Sequence, residues 1–87
     1  MKEKLITVSN KMGLHARPAS SLVQTAARFS SEIKIYKDDY EVNAKSILGV
    51  MTLAAAHGTV LKFTAEGDDA EQALSAITEL FNSGFGE

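Results

Sequence analysis

Two hydrophobic periodicities alternate along this chain, and their order leaves few folds open. Between residues 70 and 81, Ala70, Ala73, Leu74, Ile77, Leu80 and Phe81 recur at helical spacing, which marks a helix with one buried face. A second stripe, Ala19, Leu22, Val23, Ala26 and Phe29, marks another helix over 16–29. Between and around them the period drops to two. Residues 4–8 read as a strand with Ile6 and Val8 inward, 32–37 as a strand with Ile33 and Ile35 on one face, and 59–66 as a strand with Leu61, Phe63 and Ala65 inward. Asp38-Asp39 is a turn, and residues 40–43 return as a short strand, which makes a hairpin. Tyr36 and Tyr40 flank that turn and are expected as a cross-strand surface pair. Residues 47–53 form a short helix opened by Ser46. Polar turns at 10–13, 30–31 and 67–69 and the glycines at 84 and 86 punctuate the rest.

The resulting order is β-α-β-β-α-β-α. Two large helices with single apolar stripes fit against one face of one sheet. The expected class is α+β: an open-faced sandwich with a four-stranded antiparallel sheet and three helices on one face. A length of 87 residues supports one core, so residues 1–87 are read as a single domain.

Composition removes several function classes. There are no cysteines, which excludes a disulfide scaffold or a thiolate metal site and points to a reducing, cytoplasmic setting. No apolar run approaches the ~20 residues that span a bilayer, and Met1-Lys2-Glu3-Lys4 does not open a signal peptide. Nine basic and eleven acidic residues give a net charge of -2. That balance, without a basic and aromatic cluster on the strands, argues against direct nucleic-acid binding. Every Lys and Arg lies at or before Lys62, so the last helix is an acidic, solvated one.

The segment most suited to chemistry is Gly13-Leu14-His15-Ala16-Arg17-Pro18-Ala19. The chain's one proline falls just inside a helix start, where a missing N–H costs nothing. His15 is thereby placed at or beside the N-cap, next to unsatisfied amides and the positive end of the helix dipole. Such a terminus accommodates an anion, and the Arg17 fork adds a charge that suits phosphate oxygens. The same positive surroundings favour the neutral imidazole, whose ring nitrogen is a nucleophile needing no general base. A phosphohistidine formed there has its phosphate on the helix terminus and near Arg17.

Ser46 precedes the short helix at a position where serine caps well. An anion at a helix start is also tolerated, so phosphorylation is compatible with the fold. The short helix carries more apolar residues than one buried face needs. Val50 and Leu53 are expected inward, and Ile47, Leu48 and Met51 partly outward near His15 as a partner surface. His57 reads as a solvated loop residue and not a metal ligand. Asp68, Asp69 and Glu71 match no calcium loop and are expected to favour the start of the last helix. No metal and no cofactor are expected.

The 13–19 motif resembles the active-site signature of HPr, the histidine-containing phosphocarrier family of the bacterial sugar phosphotransferase system. Val42-Asn43-Ala44-Lys45-Ser46-Ile47-Leu48-Gly49-Val50-Met51-Thr52-Leu53 resembles that family's regulatory-serine segment. The ending Gly84-Phe85-Gly86-Glu87, the length and the element order are similar to the Gram-positive type. The resemblance implies that His15 takes phosphate on Nδ1 from phosphorylated enzyme I and passes it to enzyme IIA domains. It implies that Arg17 assists and that the amides of Ala16 and Arg17 contact the phosphate. It implies that an HPr kinase/phosphorylase modifies Ser46, after which the protein binds a catabolite-control repressor. It implies a monomer without membrane insertion, and a half-site rather than a free-standing enzyme.

Three positions depart from the pattern. Met12 stands where a small polar residue is usual, and it extends the partner surface of Ile47, Leu48 and Met51. Ala54 stands where Gly is common, and His57 where Lys or another polar residue is common. The alternative function is a regulatory binding module acting through phospho-Ser46. One regulatory paralogue lacks the active-site histidine, and the presence of His15 favours the carrier.

Overall fold

A computed structural model of the chain describes residues 1–86. Its elements are β1 (Lys2–Thr7), α1 (Ala16–Ala27), β2 (Glu32–Lys37), β3 (Tyr40–Asn43), α2 (Ile47–Thr52), β4 (Val60–Glu66) and α3 (Ala70–Asn82), followed by a 3₁₀ turn at Gly84–Gly86. The sheet order is β1-β4-β2-β3 with every pair antiparallel. The expected class and order are both present. Glu87, part of the C-terminal match, lies outside the described residues.

The helices cover one face of this sheet. Ile6, Ile33, Ile35, Val42, Leu61, Phe63 and Ala65 point from the strands into the core, and Ala19, Leu22, Val50, Ala73, Ile77 and Phe81 meet them from the helices. Each fully buried Leu, Ile or Phe contributes about 1.5–3 kcal/mol, so these stripes fix which way each element faces. Phe63 meets Phe81 edge-on at 5.7 Å, and Phe81 meets Phe85 at 4.7 Å. This stack holds the C-terminal turn against the core, and Phe85 adopts a left-handed φ of 59° to reach it. On the open face, Lys34 lies 3.4 Å from both Glu32 and Glu41. Its hydrogen bond to Glu32, then that to Glu41, pushes its ammonium up from the ordinary value.

Boundaries differ from the sequence reading by a residue or two. β1 starts at Lys2 because the first residues pair in register with β4, Lys2 opposite Ala65. α1 ends at Ala27: the amides of Arg28 and Phe29 bond back three residues to Thr25 and Ala26, the tightening that closes many helices. α2 stops at Thr52, with Leu53 as its C-cap.

One expectation is corrected. Tyr36 and Tyr40 are not a cross-strand pair. A two-residue turn sets Lys37 opposite Tyr40 and Tyr36 opposite Glu41, and neighbouring residues of a strand point to opposite faces. Tyr36 lies on the open face under Lys62, whose ammonium is 4.8 Å from the ring centroid. Tyr40 lies on the helix face, where its hydroxyl donates to Thr52 Oγ1 at 2.9 Å.

Asp69 stands at the start of α3 with Glu71 in its first turn, as expected, and its side chain adds a contact that the sequence does not signal. The residue occupies the N-cap position of α3, yet its side chain does not cap that helix. Its carboxylate accepts the backbone N–H groups of Ser30 at 2.9 Å and Ser31 at 3.0 Å. It also accepts both serine hydroxyls. The start of α3 is thus tied to the junction between α1 and β2. The Ser31 hydroxyl, then the Ser30 amide, hold the Asp69 carboxyl at about 2, against an ordinary 3.8.

The folded value is the lower one, so this contribution is fully present above the unfolded value. It is lost as pH falls from about 4 towards about 2. Asp69→Asn is expected to flatten the acid limb of a plot of thermal midpoint against pH in that window. An unchanged slope would show that the clamp carries no pH-dependent stability.

Candidate functional site

The site begins where β1 ends. Val8 donates to Thr59 O at 2.8 Å and accepts from the Gly58 amide at 2.8 Å, so the chain leaves the sheet beside the entry to β4. Ser9 Oγ donates to Phe81 O, and the buried Asn10 side chain donates from Nδ2 to Gly84 O. These bonds anchor the loop on the end of α3. Gly13 then passes directly over residues 55–56. Its φ is +70°, and a Cβ there would stand 2.5 Å from Ala55 O. Both the left-handed backbone and the close approach require glycine. Leu14 donates to Ala55 O at 2.9 Å and buries its side chain. Residues 13 and 14 are fixed immediately before His15.

His15 is the N-cap of α1, with extended φ and ψ of -76° and -173°. Its carbonyl accepts from Ala19 at 3.0 Å, the first bond of the helix. Its side chain is half-buried and does not cap the helix. The amides of Ala16 and Arg17 fall in the first turn, which has no intrahelical acceptors, and Pro18 has no N–H to offer. Two adjacent donors therefore follow His15 directly. Ala16 and Arg17 are exposed, Pro18 is buried, and no acidic residue lies in the first turn. The electrostatics are those of an anion site with a ring nitrogen donor beside it.

Ser46 is the N-cap of α2, as expected, with Oγ accepting from the Gly49 amide at 3.0 Å. Val50 and Leu53 are buried, while Ile47, Leu48 and Met51 are exposed. Met12 is also exposed, in the turn before Gly13. α2 packs against α1, and the Leu14–Ala55 bond ties the His15 loop to the chain leaving α2. The two helices that begin at His15 and Ser46 are neighbours. His57 is exposed in the turn before Gly58. Among the described residues no group of three His, Cys, Asp or Glu side chains could hold a metal ion. No helix of the described residues is long and apolar enough to cross a membrane.

Residues 2–83 match the family described as the PTS HPr component phosphorylation site. The chain belongs to that family. Phosphocarrier protein HPr of Neisseria meningitidis serogroup A is 47% identical over 87 residues, covering 100% of this chain and 98% of the relative. The HPr-like protein Crh of Halalkalibacterium halodurans is 49% identical over 77 residues, 88% of this chain and 92% of that protein. The crystal structure of HPr-C-His from Thermoanaerobacter tengcongensis superposes with a TM-score of 0.97 at 55% identity, covering 100% of this chain and 98% of that one. HPr proteins are phosphocarriers, and the match supports a phosphotransferase-system role for this chain. The four-stranded antiparallel sheet with three helices is the HPr fold.

Local motifs in the sequence signal His15, Arg17 and Ser46. They give no sign of Asn10, Ser9 or the Ala55 carbonyl, because supporting groups that act through backbone oxygen have no side-chain signature. Ala54, on the segment that follows α2, carries backbone strain. Its φ is +47°, a left-handed conformation that costs an alanine about 1–2 kcal/mol, partly offset by the less flexible unfolded chain. Ala54→Gly is expected to raise stability by about 0.5–1 kcal/mol, measured as the urea midpoint. A lower midpoint would show that the strain is not carried at Ala54.

Proposed function

We propose that this chain accepts a phosphoryl group on His15 from phosphorylated enzyme I and donates it to enzyme IIA domains. A lone pair of the unprotonated Nδ1 attacks phosphorus, and the bond from phosphorus to the donor breaks as the new P–N bond forms. The phosphate dianion then meets the amides of Ala16 and Arg17, with the Arg17 guanidinium neutralising charge. Phosphoryl transfer depends mainly on position and charge, so a half-site suffices and the partner supplies the rest. The observation that carries this reading is the pair of first-turn donors directly after an N-cap histidine, in a turn without acidic residues. Met12, Ile47, Leu48 and Met51 form the apolar surface on which partners dock.

The decisive experiment is intact mass and phosphorus NMR after incubation with phosphoenolpyruvate and enzyme I. One acid-labile phosphate is expected. No phosphate on the protein would remove the carrier reading.

Regulation at Ser46 is the second part of the proposal. The half-buried hydroxyl opens α2, next to the exposed Ile47 and Leu48. A phosphate added by an HPr kinase/phosphorylase places a dianion within the apolar docking surface. That weakens partners which bury the surface and favours a catabolite-control repressor that recognises the charge. The alternative role, a regulatory module acting through phospho-Ser46, is separated by mutation. Ser46→Ala is expected to abolish kinase-dependent repressor binding and to cost about 1 kcal/mol of stability through the lost cap, while phosphate uptake at His15 continues. Persistence of repressor binding in that variant would exclude Ser46 as the regulatory site.

A further inference from the structure

All three methionines of this chain lie on its surface: Met1 is 79%, Met12 78% and Met51 41% exposed. Methionine is ordinarily among the more buried residue types, and the hydrophobic core here is built without it. Met12 stands three residues before His15, in a turn closed by the Gly13 amide on Asn10 O at 3.1 Å. Met51 shares the exposed surface of α2 with Ile47 and Leu48. The Leu14–Ala55 bond joins the Met12 loop to the segment that follows α2. The chain has neither cysteine nor tryptophan, so these thioethers are the side chains that a two-electron oxidant attacks first.

We propose that Met12 and Met51 form a reversible oxidation site, and that their sulfoxides switch off partner docking beside His15. The functional half of this proposal rests on the carrier reading above. The oxidant is a hydroperoxide. A sulfur lone pair attacks its outer oxygen, the S–O bond forms and the O–O bond breaks. Sulfur loses two electrons, and the peroxide leaves as an alcohol, or as water from hydrogen peroxide, after proton transfer. The product carries a strong S=O acceptor on a surface that a partner must desolvate. A thiol-dependent methionine sulfoxide reductase returns the thioether. Both residues lie outside the core, so oxidation acts on docking and leaves the fold in place. Met1 is an internal comparison: it precedes β1, at the opposite end of that strand from the His15 loop, and its oxidation is without effect on transfer.

The test treats the intact protein with graded hydrogen peroxide and maps added oxygen by peptide mass. Phosphate uptake from enzyme I is then measured as a function of protein concentration. Each protein is scored as the ratio of treated to untreated rate. In the wild type, rate at low concentration is expected to fall roughly tenfold once Met12 and Met51 carry oxygen. The maximal rate should change little, and methionine sulfoxide reductase with a dithiol should restore the original value.

The Met12→Leu/Met51→Leu double variant, whose starting rate is its own reference, is expected to keep its ratio near one while Met1 oxidises. Full sulfoxide occupancy at both sites with an undiminished wild-type ratio would overturn the proposal. So would an equal fall in the double variant. Absence of phosphate on untreated wild type would instead overturn the carrier reading, and with it the docking switch.

Discussion

His15→Ala is expected to abolish phosphate uptake from enzyme I, by roughly 10³-fold or more, because the proposed nucleophile is removed. The variant should remain folded. The His15 side chain does not cap α1, and the helix is held instead by the buried Pro18, Ala19, Leu22 and Ala26. Alanine at an N-cap costs about 1 kcal/mol at most where no cap bond is lost. A circular-dichroism melt beside the transfer assay separates the two effects. Uptake of an acid-labile phosphate by a folded His15→Ala variant would show that the acceptor lies elsewhere, with His57 the other candidate in the chain.

Gly13→Ala is expected to produce the largest structural damage of any single methyl added near the site. Two penalties coincide at this position. The φ of +70° disfavours any side chain, and the added Cβ would sit 2.5 Å from Ala55 O and 3.0 Å from Ala56 Cα. These are backbone atoms, so relief requires the loop to lift and the Leu14–Ala55 hydrogen bond to break. The combined loss is about 2–4 kcal/mol. Displacing His15 by even about 1 Å would slow transfer by about 10²-fold.

Gly58→Ala provides the comparison. It shares a positive φ, +89°, but nothing lies within 4 Å of the added methyl. It should cost only about 1 kcal/mol and leave transfer intact. Equal stability losses for the two variants, read from urea unfolding, would show that the contact with Ala55 is not what holds the loop.

The strained Ala54 directly precedes Ala55, whose carbonyl meets Gly13. Ala54 therefore bears on the path from α2 to the His15 loop, and the exposed Met12 on the proposed docking surface.

Much of the fold was legible in the chain because its signals are local. The apolar stripe of α3 and the alternation of β2, β3 and β4 arise from neighbours in sequence, and burial of one face rewards the same periodicity. Ser46 announced α2 by its capping chemistry, and Pro18 announced the start of α1. The proposed phosphate site at His15 is local in the same way: a histidine, two amides and a proline on consecutive residues need little tertiary context.

The tertiary structure alone decided which strands pair. β4 enters between β1 and β2, where Leu61, Phe63 and Ala65 are buried and the strand also packs against α3. It also sent Asp69 to Ser30 and Ser31 instead of to its own helix, because a carboxylate gains more from two amides and two hydroxyls across a junction than from one cap. Tyr36 and Tyr40 went to opposite faces because a two-residue turn fixes strand register. The Gly13–Ala55 contact, the Asn10–Gly84 bond and the left-handed backbone of Ala54 share that origin. Each joins residues distant in sequence, or bends the chain to make such a joint, and no local periodicity records it.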